Sequence, residues 1–553
     1  MVPVRTGADL VVECLAVEGV RLVAGVPGTT VMDLIDSFAR QDTIRFVSTR
    51  HEQVAGFLAD GISRSGTGLG TCLASRGPGA ANLAIAVQNA YDESVPLLVL
   101  IGQVPSDVVE RRAFEEMDVL ATFRPMTKWT LEIHDVRRVP ELLQRAIRTT
   151  TSGRPGPVVV SLPLDVLQSP APEETVPAPR RRIHPPAAAP AAVDEAAELL
   201  AGAHRPAMLL GGGASGDPRT YLQLAESTAT PLLTTWLRQS IVSHDHRAFL
   251  GALGYGAHDI SEQVVREADV LLAFGCRFSE FTTKRWTLIS PATKLVHVDI
   301  DPDELGRIYP PDVGIVADAQ LAARALVDAT AHAPSASRVE RLSKLRSTYD
   351  QEATLDDEAT APTSGVSSKN VVRALQELAD RSGILLVQDA PSFGPWSHRY
   401  LRLPRHRSFF GSAGGAMAWG LPAGMGIALA SPDQRVITVS GDGSFWMVAQ
   451  DFETCVRERI PLVNVVMNNF SYGNTRDRQR FAHDGRFLGV FYGNPDFADF
   501  ARSLGGFGIR VEADDDLRPA LAAALDQDRP VIIDVVQDRM AGLPPGLAPP
   551  AAR

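Results

Sequence analysis

Apolar residues fall along this chain in two alternating rhythms. Short unbroken runs at 21–24, 71–74, 97–101 and 158–162 have the length and branched side chains of buried strands. Between them lie stretches long enough for helices, the first at 7–18 with one apolar face. The alternation returns at 207–210, 270–274 and 295–299, and again at 384–388, 435–440, 462–467 and 530–535. A strand, a helix-length crossover and another strand make a βαβ unit on a parallel sheet. Two stretches break the rhythm. Residues 170–190 are rich in Pro and Ala around Arg180, Arg181 and Arg182, and residues 331–368 are polar and Ala/Ser-rich. Neither can bury much apolar surface, so each reads as a connector. The pattern predicts an α/β protein of three consecutive doubly wound parallel-sheet domains. Their expected bounds are 1–170, 191–345 and 365–540, with a linker at 171–190 and a Pro-rich loose end at 541–553.

Length and composition agree with this division. A chain of 553 residues holds three or four domains at about 150 residues each. Its 45% apolar and 22% charged residues are the balance of a soluble globular protein. A net charge of −11 argues against a broad nucleic-acid or anionic-membrane surface. Cys14, Cys72, Cys276 and Cys455 stand far apart in no metal-type spacing, as expected of structural thiols in a reducing compartment. No basic-then-apolar leader is evident, and no apolar run reaches the roughly 18 residues of a membrane span. The expectation is a cytoplasmic protein that engages neither nucleic acid nor membrane.

The most specific chemical signal lies in the third domain. The apolar run 436–440 ends in Gly441-Asp442-Gly443-Ser444, and the run 462–467 ends in Asn468-Asn469, with Asn469 twenty-seven positions after Asp442. In a parallel sheet the carboxyl ends of neighbouring strands open on one crevice, where ligands bind. A carboxylate, an amide oxygen and a backbone carbonyl are hard ligands suited to Mg²⁺. Glycines beside a helix start let backbone N–H groups approach a phosphate.

The stretch GDGSF followed by MNNFSYGN resembles the thiamine-diphosphate motif of the superfamily of acetolactate synthase, pyruvate decarboxylase and benzoylformate decarboxylase. The resemblance implies a central Rossmann-like domain between pyrimidine-binding and diphosphate-binding domains. It implies Asp442, Asn469 and the Ser471 carbonyl as metal ligands, with Gly443, Ser444 and Ser392 on the diphosphate. By the same resemblance Met417 props the cofactor into a bent shape, the Gly415 carbonyl holds its 4′-amino group, and Gly28 joins the cofactor contacts. The segment Arg50-His51-Glu52-Gln53-Val54-Ala55-Gly56 is similar to the RHEQ segment of acetolactate synthases, with Glu52 in the place of the activating glutamate. A carboxylic acid there makes the cofactor's own amino group basic enough to deprotonate the thiazolium, and an apolar pocket would suit it by raising its pKa. Glu52 and the diphosphate motif lie on different domains. In the family they meet between subunits, which implies a homodimer or homotetramer.

The resemblance implies a decarboxylase or carboligase that takes a 2-oxo acid or related acyl donor through a decarboxylated enamine. Phe114 and Glu115 are then expected to border the substrate. The family's loop reads AFQE, whereas here it is Ala113-Phe114-Glu115-Glu116, and a carboxylate facing a 2-oxo acid repels it. Arg76 fills a place that is usually small, read either as an anion receptor or as a surface ion pair, and Leu164 replaces the family's lysine. The run Glu115-Glu116-Met117-Asp118 also looks like that of oxalyl-CoA decarboxylases and 2-hydroxyacyl-CoA lyases, which keeps an acyl-CoA substrate open. A flavin-dependent oxidase of the same fold is a further alternative. Gly211-Gly212-Gly213 lacks the spaced third glycine and the acidic ribose partner of a dinucleotide site, so it reads as a tight turn and FAD is not indicated.

Overall fold

A computed structural model describes residues 4–330, 333–355 and 364–547. Three six-stranded sheets follow one another along the chain, every pairing within them parallel. The first sheet runs Arg45–Ser48, Leu22–Gly25, Gly70–Ala74, Leu97–Gln103, Pro157–Pro163 and Trp129–Glu132 from edge to edge. The third runs Phe409–Gly411, Ile384–Gln388, Arg435–Gly441, Leu462–Asn468, Val531–Val536 and Phe507–Val511. Counted within each domain, the two orders are the same, 2-1-3-4-6-5. The middle sheet has the order 3-2-1-4-5-6 of a Rossmann-like fold, with its switch point between Pro206–Leu210 and Val270–Phe274.

The expected strands form where the apolar runs stand, and the central ones are wholly buried because helices cover both faces. One core belongs to two domains. Leu58, Leu83 and Val99 of the first domain lie in the same buried cluster as Trp419, Met425 and Phe445 of the third. The helices that meet there are Glu52–Ser65 and Gly420–Ala430, the latter with the sequence GLPAGMGIALA, apolar on every side. They approach closely because glycines face backbone: a Cβ on Gly61 would sit 2.2 Å from the Ala423 carbonyl oxygen, and one on Gly426 2.0 Å from that of Leu58.

The stretch 331–368 is more than a connector. Helix Ala336–Glu352 lies in it and packs on the middle domain through Leu342 and Tyr349, carrying that domain's core past residue 345. Gly211–Gly213 does form a tight turn, wedged against Gly275, where a Cβ on Gly211 would meet the Gly275 carbonyl oxygen at 2.1 Å. The turn also lines a cleft of about 1810 Å³ among the three domains. Of the tail, residues 541–547 fall within the described part, where Trp396 Nε1 donates to the Gly542 carbonyl (2.9 Å); residues 548–553 lie outside the described residues. Among the described residues no helix is long and apolar enough to cross a membrane.

Candidate active site

In the third sheet, strand register sets Gly441 opposite Met467, so Asp442 and the Asn468-Asn469 pair leave the sheet side by side. Asp442 opens helix Asp442–Trp446 and is 2% exposed. Its Oδ1 accepts from Tyr492 Oη (3.1 Å) and from the Gly443 N–H (2.9 Å), and its Oδ2 from Asn494 Nδ2 (2.8 Å). Asn494 Nδ2 also donates to Asn468 Oδ1 at 2.8 Å, lacing the two strand ends together. Asn469 Oδ1 accepts from the Ser471 N–H (3.1 Å) and hydroxyl (3.0 Å), while its Nδ2 donates to Ser392 Oγ (3.0 Å). Substitution at the glycines would fill the space between these loops. A Cβ on Gly443 would meet the Tyr472 ring and Tyr492 Oη at 2.6 Å, and one on Gly473 would meet Ser392 Oγ at 2.6 Å.

Ser444 Oγ donates to Asp389 Oδ2 (2.9 Å) and accepts from the Ala418 N–H (2.7 Å). Asp389 also takes the Gly420 N–H, at 3.2 Å, so it fixes the end of the loop that carries Gly415 and Met417. Gly415 has φ +78 and open space around it, and Met417 is half-buried rather than part of a core. Burial pushes the Asp442 carboxyl up to about 6, although the Gly443, Tyr492 and Asn494 donors pull it down. Among the described residues no cationic side chain pairs with it.

The remaining expected residues gather on the first domain. Glu52 opens helix Glu52–Ser65, half-buried, with Oε2 accepting from Asn82 Nδ2 at 2.9 Å. A Cβ on Gly79 would come within 3.0 Å of Glu52 Oε1, and one on Gly28 within 2.5 Å of the Ser75 Cβ. Phe114 is 77% exposed, and Glu115 beside it packs its backbone on Gly77. Within one chain Arg50, two residues before Glu52, ties the first domain to the third: its N–H donates to Asp451 Oδ1 (2.8 Å) and its Nε to Glu453 Oε2 (2.7 Å).

Family models match all three segments. Residues 5–122 match the thiamine pyrophosphate enzyme N-terminal TPP binding domain, 193–326 the central domain, and 389–535 the C-terminal TPP binding domain. The chain belongs to the thiamine pyrophosphate enzymes. Among its relatives is a probable acetolactate synthase large subunit of Methanocaldococcus jannaschii, 32% identical over 99% of this chain and 94% of that one. The acetolactate synthase isozyme 1 large subunit of Escherichia coli K12 is 31% identical over 99% and 96%, and the chloroplastic acetolactate synthase 2 of Brassica napus 31% over 98% and 87%. Its likeness is therefore to the acetolactate synthase branch of these enzymes.

The cluster around Asp442 fits the group that the family carries. Among the described residues of this thiamine pyrophosphate enzyme no three His, Cys, Asp or Glu side chains converge on one point. A cation here would be held by one carboxylate with amide and backbone oxygens, a set that leaves room for diphosphate. The buried, cation-free Asp442 carboxylate is a place where added positive charge is favourable. Three supporting residues were not visible in the sequence. Tyr492 and Asn494 reach Asp442 from fifty and fifty-two positions away, and nothing local announces them beyond the Asn494-Pro495 turn signal. Asp389 lies at the end of an expected strand and announces itself only by that position.

Proposed function

We propose that this enzyme binds thiamine diphosphate with Mg²⁺ and uses them to cleave a 2-oxo acid beside its carbonyl, releasing CO₂ and passing the acyl fragment to a second carbonyl. The observation that carries this is Asp442: a buried carboxylate paired with no cation among the described residues, beside Asn469 at the ends of adjacent strands. Asp442, the Asn469 side-chain oxygen and the Ser471 carbonyl would hold the metal. Gly443, Ser444 and Ser392 would take the diphosphate, while Gly415, Met417 and Gly28 would take the rest of the cofactor. When bound, thiamine diphosphate supplies a nucleophilic carbon and an electron sink for bond cleavage next to a carbonyl.

The chain's own residues do the rest. Glu52 holds a proton at the cofactor's pyrimidine ring, and Asn82 fixes the Glu52 carboxyl by the hydrogen bond already present. Phe114 and Glu115 border the substrate. Because Glu52 and the Asp442 cluster lie on different domains, and in the family such groups meet between subunits, we take the working unit to be a homodimer or homotetramer with Glu52 supplied to the cluster of a second copy. The four free cysteines, all buried, fit a reducing compartment such as the cytoplasm.

The test is isothermal titration of metal-stripped protein with thiamine diphosphate, with and without Mg²⁺, on wild type and Asp442→Ala, followed by CO₂ release from 2-oxo acids. We expect metal-dependent binding that the substitution abolishes, and turnover of a 2-oxo acid. Folded wild type that binds no cofactor contradicts the reading, as does turnover of acyl-CoA esters alone.

A further inference from the structure

Three loops of the first domain converge on the side chain of Arg76. Its Nε donates to the Phe114 carbonyl oxygen at 2.8 Å and lies 3.7 Å from Glu115 Oε2. The guanidinium carbon sits 5.8 Å from the centre of the Phe114 ring. On the opposite side Nη1 approaches Thr29 Oγ1 at 3.5 Å, and the Arg76 N–H donates to Thr30 Oγ1 at 3.3 Å. The arginine side chain is only 13% exposed, against 32% for that of Glu115.

The loop that Arg76 grips is strained. Glu110, Arg112 and Glu115 all have positive φ, of 66°, 56° and 60°, a region that side chains other than glycine rarely enter. The Glu116 carboxylate ties one end by accepting from the N–H groups of Glu110 (2.5 Å) and Ala113 (2.9 Å). The other end rests on Gly77, where a Cβ would meet the Glu115 carbonyl oxygen at 2.4 Å. Two residues further on, Gly79 lies against Glu52. One short turn therefore sets the position of Glu115 relative to Glu52.

Charge makes the grip matter. Glu110, Glu115, Glu116 and Asp118 surround a surface depression of about 400 Å³ with Arg112 as its cation, so an anionic substrate approaching Phe114 meets an excess of negative charge. Among the described residues, the cation that reaches Glu115 is Arg76, from the neighbouring turn. We propose that Arg76 is a positioning residue for substrate charge: it draws the Glu115 carboxylate onto itself, cancels its charge and pins the Phe114 carbonyl, so that a rim bearing a glutamate still accepts a 2-oxo acid. This rests on the 2-oxo acid reading above. Arginine suits the task better than lysine, because its rigid planar fork donates to a carbonyl while facing a carboxylate and an aromatic ring at once.

The experiment is steady-state kinetics with pyruvate on wild type, Arg76→Ala, Arg76→Lys and the double variant Arg76→Ala/Glu115→Gln, each first checked for unchanged melting temperature and thiamine diphosphate affinity. We expect Arg76→Ala to raise KM by about tenfold with a smaller change in kcat, as an unscreened like charge near the substrate would do. That KM should fall with added salt, and Glu115→Gln in the same background should return it to within about threefold of wild type. Arg76→Lys should recover only part of the loss. An unchanged KM in Arg76→Ala, or a double variant no better than the single one, overturns the proposal while leaving the enzyme's function intact. Wild type that binds thiamine diphosphate but turns over neither pyruvate nor longer 2-oxo acids overturns the functional reading itself, and the proposal with it.

Discussion

The indole N–H of Trp419 donates to Asp60 Oδ1 at 2.8 Å, joining the third domain to the first through two side chains that are both fully buried. Arg64 completes the arrangement, donating to the same carboxylate at 2.6 Å and stacking 4.9 Å from the Trp419 ring centre. Arg64 and Arg238 then share Glu93, and although burial would raise that carboxyl, the two cations hold it at about 2. Trp419→Phe should cost about 1–3 kcal/mol by removing one donor from a buried acid. Asp60→Leu should cost more, about 3–5 kcal/mol, because it strips Arg64 of a buried partner. Urea unfolding followed by tryptophan-independent circular dichroism checks both.

The amide of Asn494 supports Asp442 without being among the proposed metal ligands. Outer partners of this kind orient a ligand, and losing one weakens metal binding by about 10–100-fold. Asn494→Ala should therefore raise the Mg²⁺ concentration needed for half-maximal thiamine diphosphate binding by that factor, at unchanged melting temperature. A response equal to wild type would remove Asn494 from the site.

Glu52→Gln keeps the shape of the side chain and its contact with Asn82 but removes the acid. General acid–base groups contribute about 10²–10⁴ in rate, so kcat should fall by at least about 100-fold while cofactor affinity changes little. Stopped-flow and titration on the same preparation separate these effects.

Helix packing through Gly61 and Gly426 leaves no room for a methyl group. Gly61→Ala and Gly426→Ala should each cost about 1–3 kcal/mol through overpacking. Their combined effect should be less than additive, since both push the same two helices apart. Thermal melts of the two single variants and the double one measure this.

Acid should loosen the junction of the middle and third domains. Burial lowers His244 to about 3, His258 to about 3 and His398 to about 4, and each faces a backbone carbonyl: Gln239, Arg399 and Ala252 respectively. A base whose folded pKa is depressed adds stability above its unfolded value of about 6.5, and that stability is lost as pH falls toward the folded value. Together the three give a slope of at most about 4 kcal/mol per pH unit between roughly pH 4 and 6. Melting temperature measured from pH 8 to pH 4 should fall most steeply below about 6, and replacing His398 with an uncharged residue should flatten that slope.

Much of this was legible in the chain itself, because parallel strands buried on both faces are written as continuous apolar runs. Asp442 and Asn469 could be located because the site sits where two such runs end. Helix Ala336–Glu352 was hidden for the opposite reason: it touches the core through little more than Leu342 and Tyr349, and the rest of it is polar. Tyr492 and Asn494 were hidden because their contacts depend on how a distant loop folds back, which no local period records. Arg76 was visible as an oddity, but its two readings could be separated only once Glu115 and the Phe114 carbonyl were seen beside it.

The core shared by the first and third domains has a consequence for the chain as it is made. Some 355 residues separate the end of helix Glu52–Ser65 from the start of Gly420–Ala430. At ribosomal rates of about 5–20 residues per second, the first domain waits roughly 20–70 seconds for the surface that covers it. Through that interval a glycine-smoothed apolar helix face is exposed on the nascent protein. The first domain released alone is thus a sticky fragment, and the polypeptide through Ala430 is the shortest product of translation in which that face finds its cover.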